Sequence, residues 1–194
     1  ITSVTLDYGE TYLVQPENID KFFSGTLITS DKAIVVNAGH LNTGNPAFSV
    51  ADNWTESGAE TIMPITWIGK EYILLRRGAQ ANDADYGMML AVENGTEVKV
   101  DGSVVATINA GEHYTVNLTG NKGTPYYVET SKPTYAYHVG GSKNGSVGYT
   151  IVPRIDKVSG SKQANIKEYA IRSDNACILI PNTGLSSFKF RGSE

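Results

Sequence analysis

"TEVKVDGSVVATINAGEHYTV", residues 96–116, decides the fold class. Apolar and polar residues alternate through "TEVKV", the period of a half-buried strand. Asp101-Gly102 follows, the strongest short-range hairpin signal, and leads into a second run, "VVATI". A third run, "HYTV", begins just after Gly111, which suits a tight turn with positive φ. Outward from this stretch the same grammar holds: "EYILL" and "GMMLAV" before it, "YYVET", "TYAYHV" and "YTIV" after it, with glycines and prolines between the runs. Many short strands with this punctuation predict an all-β chain. A single short helix is expected near 46–53, where Asn45 can cap and Pro46 can take the first helical position. "SGSKQAN" at 159–165 reads as a polar loop.

The stretch also repeats. "VTLDYGETYLV" (4–14) aligns without gaps on "ATINAGEHYTV" (106–116), with Thr5/Thr107, Gly9/Gly111, Glu10/Glu112, Tyr12/Tyr114 and Val14/Val116 identical, and both are expected to be hairpins. "TSDKAIVVNAG" is echoed by "TSKPTYAYHVGG", "KEYIL" by "KEYAI", and "LAVENGTEVKVDG" (90–102) loosely by "ILIPNTGLSSFKFRG" (178–192). Because the order is preserved, the chain reads as two copies of one unit of about 100 residues. The expected domains are 1–104 and 105–194, the second open to continuation beyond the fragment. Each is expected to be β-sandwich-like, with a small propeller or barrel as the alternative. The two "TS" phrases read as turns in front of strands: Ser30 and Asp31 can bond their own backbone, and Pro133 pre-sets φ. Residues 3–6 and 188–192 correspond to the two halves of the Asp101-Gly102 hairpin; these strands can close on each other within one molecule, pair between molecules or belong to a longer repeat array, and self-association or a longer array is the favoured expectation.

Composition narrows the function. A net charge of -4 over 194 residues, with no basic stripe, argues against nucleic acid or an anionic membrane as partner. No apolar run approaches the roughly 18–20 residues of a membrane-spanning helix, so no membrane insertion is expected. The first residue is Ile1 rather than Met, which reads as a processed product or an excised fragment. Cys177 is the only cysteine, excluding an internal disulfide, and in "ACILIP" it reads as a small core residue. The sequons at Asn94 and Asn144 precede glycine and read as turns.

Chemistry-bearing motifs are sparse. "SGSK" (159–162), "SDN" (173–175) and "NTG" (182–184) imitate the three signatures of serine β-lactamases, but the third lacks its lysine and the chain has no helical region to hold the nucleophile. A serine hydrolase is therefore the least favoured function, and Ser159, Lys162 and Ser173 read as loop residues. His40, His113 and His138 stand alone, without metal-ligand spacing. "NDADYG" (82–87) places Asp83 and Asp85 on one side of an acidic loop, the oxygen chemistry that calcium prefers, although a solvated turn is the simpler reading. No metal or cofactor is assigned. Trp54, after the short helix, and Tyr86, in the acidic loop, are the candidate exposed aromatics for stacking on a sugar or anchoring a protein. The candidate binding residues are thus Trp54, Tyr86, Asp83 and Asp85, whereas Trp67 in "PITWIGKEY" is expected to cover the core.

Six segments together resemble a known family: "SGTLITSDKAIVVNAG", "ETIMPITWIGKEYILL", "LAVENGTEVKVDG", "TINAGEHYTV", "TSKPTYAYHVGG" and "IVPRIDK". In that order they look like the IgGFc-binding protein N-terminal domain family. Its members include a mucus protein of animals and large secreted, adhesin-like surface proteins of bacteria. The resemblance implies an extracellular or cell-surface module, non-enzymatic, serving adhesion or structure in a larger assembly and meeting a protein or glycan partner. The chain departs from the family where members carry an acidic-Gln-Leu-Pro-Pro stretch before Trp-Gly; "AETIMPITWIG" keeps one proline.

Overall fold

The computed structural model describes residues 3–17, 23–43, 56–77, 84–141 and 147–155. The expected helix near 46–53, Trp54, Asp83, Cys177, the β-lactamase-like motifs, the 159–165 loop and the 188–192 strand lie outside them. The chain divides at 159/160, and every described residue belongs to the unit Ile1–Ser159.

The described residues are all-β, as expected. Their elements are β1 (Asn37–Thr43), β2 (Glu56–Thr61), a one-turn 3-10 helix (Ile65–Trp67), β3 (Gly69–Leu75), β4 (Ala84–Ala91), β5 (Thr96–Val100), β6 (Ser103–Ile108), β7 (His113–Asn117), β8 (Pro125–Gly141) and β9 (Val147–Ile151). β1 and β2 form a two-stranded antiparallel sheet, and the other seven strands share one antiparallel sheet in the order β6-β5-β8-β4-β7, with β3 and β9 also on β8. The division expected at 104/105 falls inside β6, and strands from both sides of it share this sheet.

Asp101-Gly102 makes the β5–β6 hairpin that its sequence demands: Asp101 has φ 49 and Gly102 φ 83, the two positive angles of a primed turn. The turn at 109–112 differs from expectation. It joins β6 and β7, which lie at opposite edges of the sheet. A connection of four residues can do this only if the sheet curls until its edges approach each other, so this is a corner rather than a hairpin. Inside the curl lie Tyr72, Leu74, Met89, Val98, Ile108, Val116, Leu118 and Val128. Ile68, Tyr135 and Tyr137 form a second cluster with Met63, Met88, Leu90 and Ile151.

β8 organises the sheet. Near its start it pairs with β3 and β5, and towards its end with β4 and β9. "TSKP" (130–133) is therefore not a turn but the handover between these two sets of neighbours. Pro133, which has no N–H to offer a ladder, stands where no ladder bond is required. Side chains stitch the handover: the Ser131 hydroxyl accepts the Glu97 N–H at 2.9 Å, Lys70 Nζ donates to the Ser131 carbonyl at 2.9 Å, and Lys132 Nζ donates to the Asn94 carbonyl.

The repeated phrases share local geometry. Gly9 and Gly111 have φ 85 and 84. Glu10 N–H donates to Asp7 O while Asp7 N–H donates to Glu10 Oε2; Glu112 and Asn109 make the same two bonds. The register repeats as well: Asn37 faces Thr61 in β1–β2, and in β8–β9 His138, which the shared "TS" aligns with Asn37, faces Thr150, which opens "TIVP" (150–153) as Thr61 opens "TIMP" (61–64). The surroundings differ. Tyr114 packs against the core, whereas Tyr12 is 53% exposed, and residues 3–17 belong to no strand.

Candidate functional site

Between β2 and β3 the backbone makes a knuckle, Pro64-Ile65-Thr66-Trp67. Pro64 supplies a φ of -55 before the 3-10 turn, and the Trp67 N–H donates to the Pro64 carbonyl at 2.9 Å. Hydrogen bonds fix the chain on both flanks. On the incoming side the Tyr135 hydroxyl donates to the Met63 carbonyl at 2.6 Å. On the outgoing side Arg154 Nη1 donates to the Ile68 carbonyl at 2.8 Å. The Tyr72 hydroxyl accepts the Gly69 N–H at 2.8 Å and donates to the Thr134 carbonyl at 2.5 Å. Beneath the knuckle, Ile68 is buried against Tyr135 and Tyr137, whose rings lie 6.2 Å apart at an interplanar angle of 22°.

This rigid base presents Ile65, 45% exposed, and Trp67, 66% exposed, to solvent. Trp67 thus does not cover the core, contrary to the sequence expectation. The sequence missed it because a 3-10 turn after Pro64 rotates consecutive side chains off the strand alternation that would have placed Trp67 inward.

The acidic segment behaves differently from its sequence reading. Asp85 and Tyr86 belong to strand β4 rather than to a loop, and they are 6% and 7% exposed. Burial drives the Tyr86 phenol up to about 12, and its ring face is not available for stacking on a ligand. The Asp85 carboxylate is engaged on every side. Its Oδ2 accepts the Arg77 N–H at 2.6 Å and lies 3.3 Å from Arg76 Nη1, while Oδ1 lies 3.9 Å from Arg77 Nε and 3.7 Å from His138 Nε2. A divalent cation would have to displace two guanidinium groups, so Asp85 serves as an internal anchor that fastens 76–77 to β4. Burial and the Arg77 charge push His138 down to about 4, the Asp85 charge opposing them, so the imidazole is neutral at pH 7. The structure brings Asp85 and Tyr86 together as neighbours inside the sheet and does not describe Asp83 or Trp54. Asn94 is a turn residue: its Oδ1 accepts the Ala110 N–H at 3.0 Å. Among the described residues no helix is long and apolar enough to cross a membrane.

The IgGFc-binding protein family model matches residues 1–190. The chain belongs to the IgGFc-binding protein family. This is a family of binding, non-catalytic domains that are typically extracellular, and its description names a protein ligand. No curated protein and no solved structure matches the chain. In this family member the one described surface that combines an exposed tryptophan with a clamped backbone is the knuckle between β2 and β3.

Proposed function

We propose that the chain is a non-enzymatic adhesion or structural module of a larger cell-surface or fibre assembly, and that it docks a folded protein partner through the Ile65–Trp67 knuckle. The observation that carries this reading is Trp67, 66% exposed on a backbone held by three buried or half-buried side chains, those of Tyr135, Arg154 and Tyr72. Tryptophan anchors dominate protein interfaces because one rigid ring buries a large apolar area. A backbone fixed before binding has little ordering entropy left to lose. A glycan partner is the alternative class; its sequence case used Trp54 and Tyr86, and the burial of Tyr86 removes one of the two rings. Self-association through residues 3–6 and 188–192 is compatible with the knuckle reading.

The test exposes the wild-type protein to a panel holding immunoglobulin Fc, other extracellular proteins and a glycan array. Saturable binding to a protein, with no glycan signal, supports the proposal. Binding confined to glycans overturns it.

A further inference from the structure

The His138 side chain is 9% exposed, and among the described residues its Nε2 has no hydrogen-bond partner. A buried polar atom in that state costs stability, so its presence asks for a reason. Among the described residues two charged groups face it. Asp85 Oδ1 lies 3.7 Å from Nε2, and Arg77 Nε lies 3.9 Å from the same oxygen. Arg76 Nη1 and the Arg77 N–H engage the other oxygen, Oδ2. The ladder neighbours of His138, Gly87 on β4 and Thr150 on β9, bear no charge. Both 3.7 and 3.9 Å exceed a hydrogen bond, so Oδ1 stands between two nitrogens and can close on one of them only. With a neutral imidazole the Arg77 charge has the stronger claim. A proton on the ring makes both of its nitrogens donors and gives Nε2 a charge of its own. Solvation then decides between them. The imidazolium is enclosed, whereas the Arg77 side chain is 51% exposed and water can hydrate its guanidinium.

We propose that His138 is an acid-operated switch, in which uptake of one proton turns the Asp85 carboxylate from Arg77 to His138 and releases residue 77 from β4. Rotation towards Nε2 carries Oδ2 away from the Arg77 N–H and so breaks the 2.6 Å bond that fastens residue 77. It also frees the guanidinium from β8, where Gly140 makes room for it: a Cβ there would collide with Arg77 Nη2 and Asp85 Oδ1. Gly140 faces Asp85 on β4 and Gly148 on β9, so two of these three positions have no side chain to pack and the strand ends rely on their backbone bonds. Once the guanidinium leaves, this end of the ladder opens to water. Burial and the Arg77 charge hold His138 down at about 4, the Asp85 charge opposing them, which sets the acid range of the switch. The knuckle stands apart from it. Tyr135 and Tyr137, which carry the knuckle, project from the face of β8 opposite to His138.

The test follows the His138 imidazole of the full chain by NMR during acidification from neutral pH, together with hydrogen exchange of the Arg77 amide. In Arg77→Gln the His138 midpoint should rise by about one unit, because a competing positive charge is gone. Lys99→Gln, on β5, should leave the midpoint in place. In the wild-type protein the protection of the Arg77 amide, corrected for the intrinsic pH dependence of exchange, should fall with the same midpoint as the His138 signal. In His138→Gln that protection should persist through the same range. An unmoved midpoint in Arg77→Gln would overturn the proposal. So would an Arg77 amide that stays protected while His138 titrates, or that loses protection equally in His138→Gln. None of these measurements involves a binding partner, so this proposal and the knuckle reading fail separately.

Discussion

His138 is a buried imidazole beside Asp85 and under the Arg77 charge, and it sets a pH dependence. Its folded value is about 4 against 6.5 for the free side chain. The unfolded chain therefore binds more protons between those values, and stability rises with pH across that window. The contribution is fully present above pH 6.5 and is lost as pH falls towards 4, to a limit of about 3 kcal/mol. Melting curves should shift to lower temperature on acidification from pH 7 to 4, and His138→Gln should flatten the trend. An unchanged slope in the variant would assign the acid sensitivity elsewhere. Asp85→Asn should destabilise the fold by about 3 kcal/mol, because it removes a buried carboxylate from between two guanidinium groups. Chemical denaturation would measure this as a lower midpoint with an unchanged slope. That Asp85 anchors the sheet was not legible in "NDADYG", since its partners Arg76, Arg77 and His138 come from elements that only tertiary structure brings together.

Among the elements, those written in local chemistry could be read from sequence. Asp101-Gly102 required two positive φ angles, and Gly102→Ala should cost about 1–2 kcal/mol, read as a lower denaturation midpoint, since alanine resists φ 83. "TSKP" was misread because a polar tetrapeptide with proline is a turn in isolation; only the change of neighbours along β8 explains a proline inside a 17-residue strand. Tyr86 and Trp67 exchanged roles for a related reason. β4 is covered on both faces, so Asp85, Tyr86 and Gly87 are all buried in succession and no alternation marks Tyr86 as inward. The knuckle depends on Tyr135 as well as on its own residues. Tyr135→Phe deletes the bond to the Met63 carbonyl and should cost about 1 kcal/mol of stability, with faster amide exchange at 65–68. Unchanged exchange there would show that the clamp does not hold the turn.

At the scale of the molecule, the all-β class and the family were both readable from strand-and-turn phrases in their order, and the family match over 1–190 bears out the resemblance. The curl of the sheet was not readable, because it follows from which strand pairs with which, and a gapless repeat such as 4–14 on 106–116 fixes only local turns and registers. The knuckle escaped for the same reason: its importance lies in the contrast between an exposed Trp67 and a base buried against Tyr135 and Tyr137. On the proposed reading this contrast makes the knuckle a protein-binding anchor. Its most direct test is the affinity of Trp67→Ala, against wild type, for the protein that binds wild type most tightly, measured by surface plasmon resonance alongside the melting temperature. Because Trp67 projects from the fold, the melting temperature should hold within the spread of ordinary surface substitutions, while the dissociation constant should rise by about 30-fold, the equivalent of a 2 kcal/mol hot spot. Equal affinity of the two proteins at equal stability would contradict the claim.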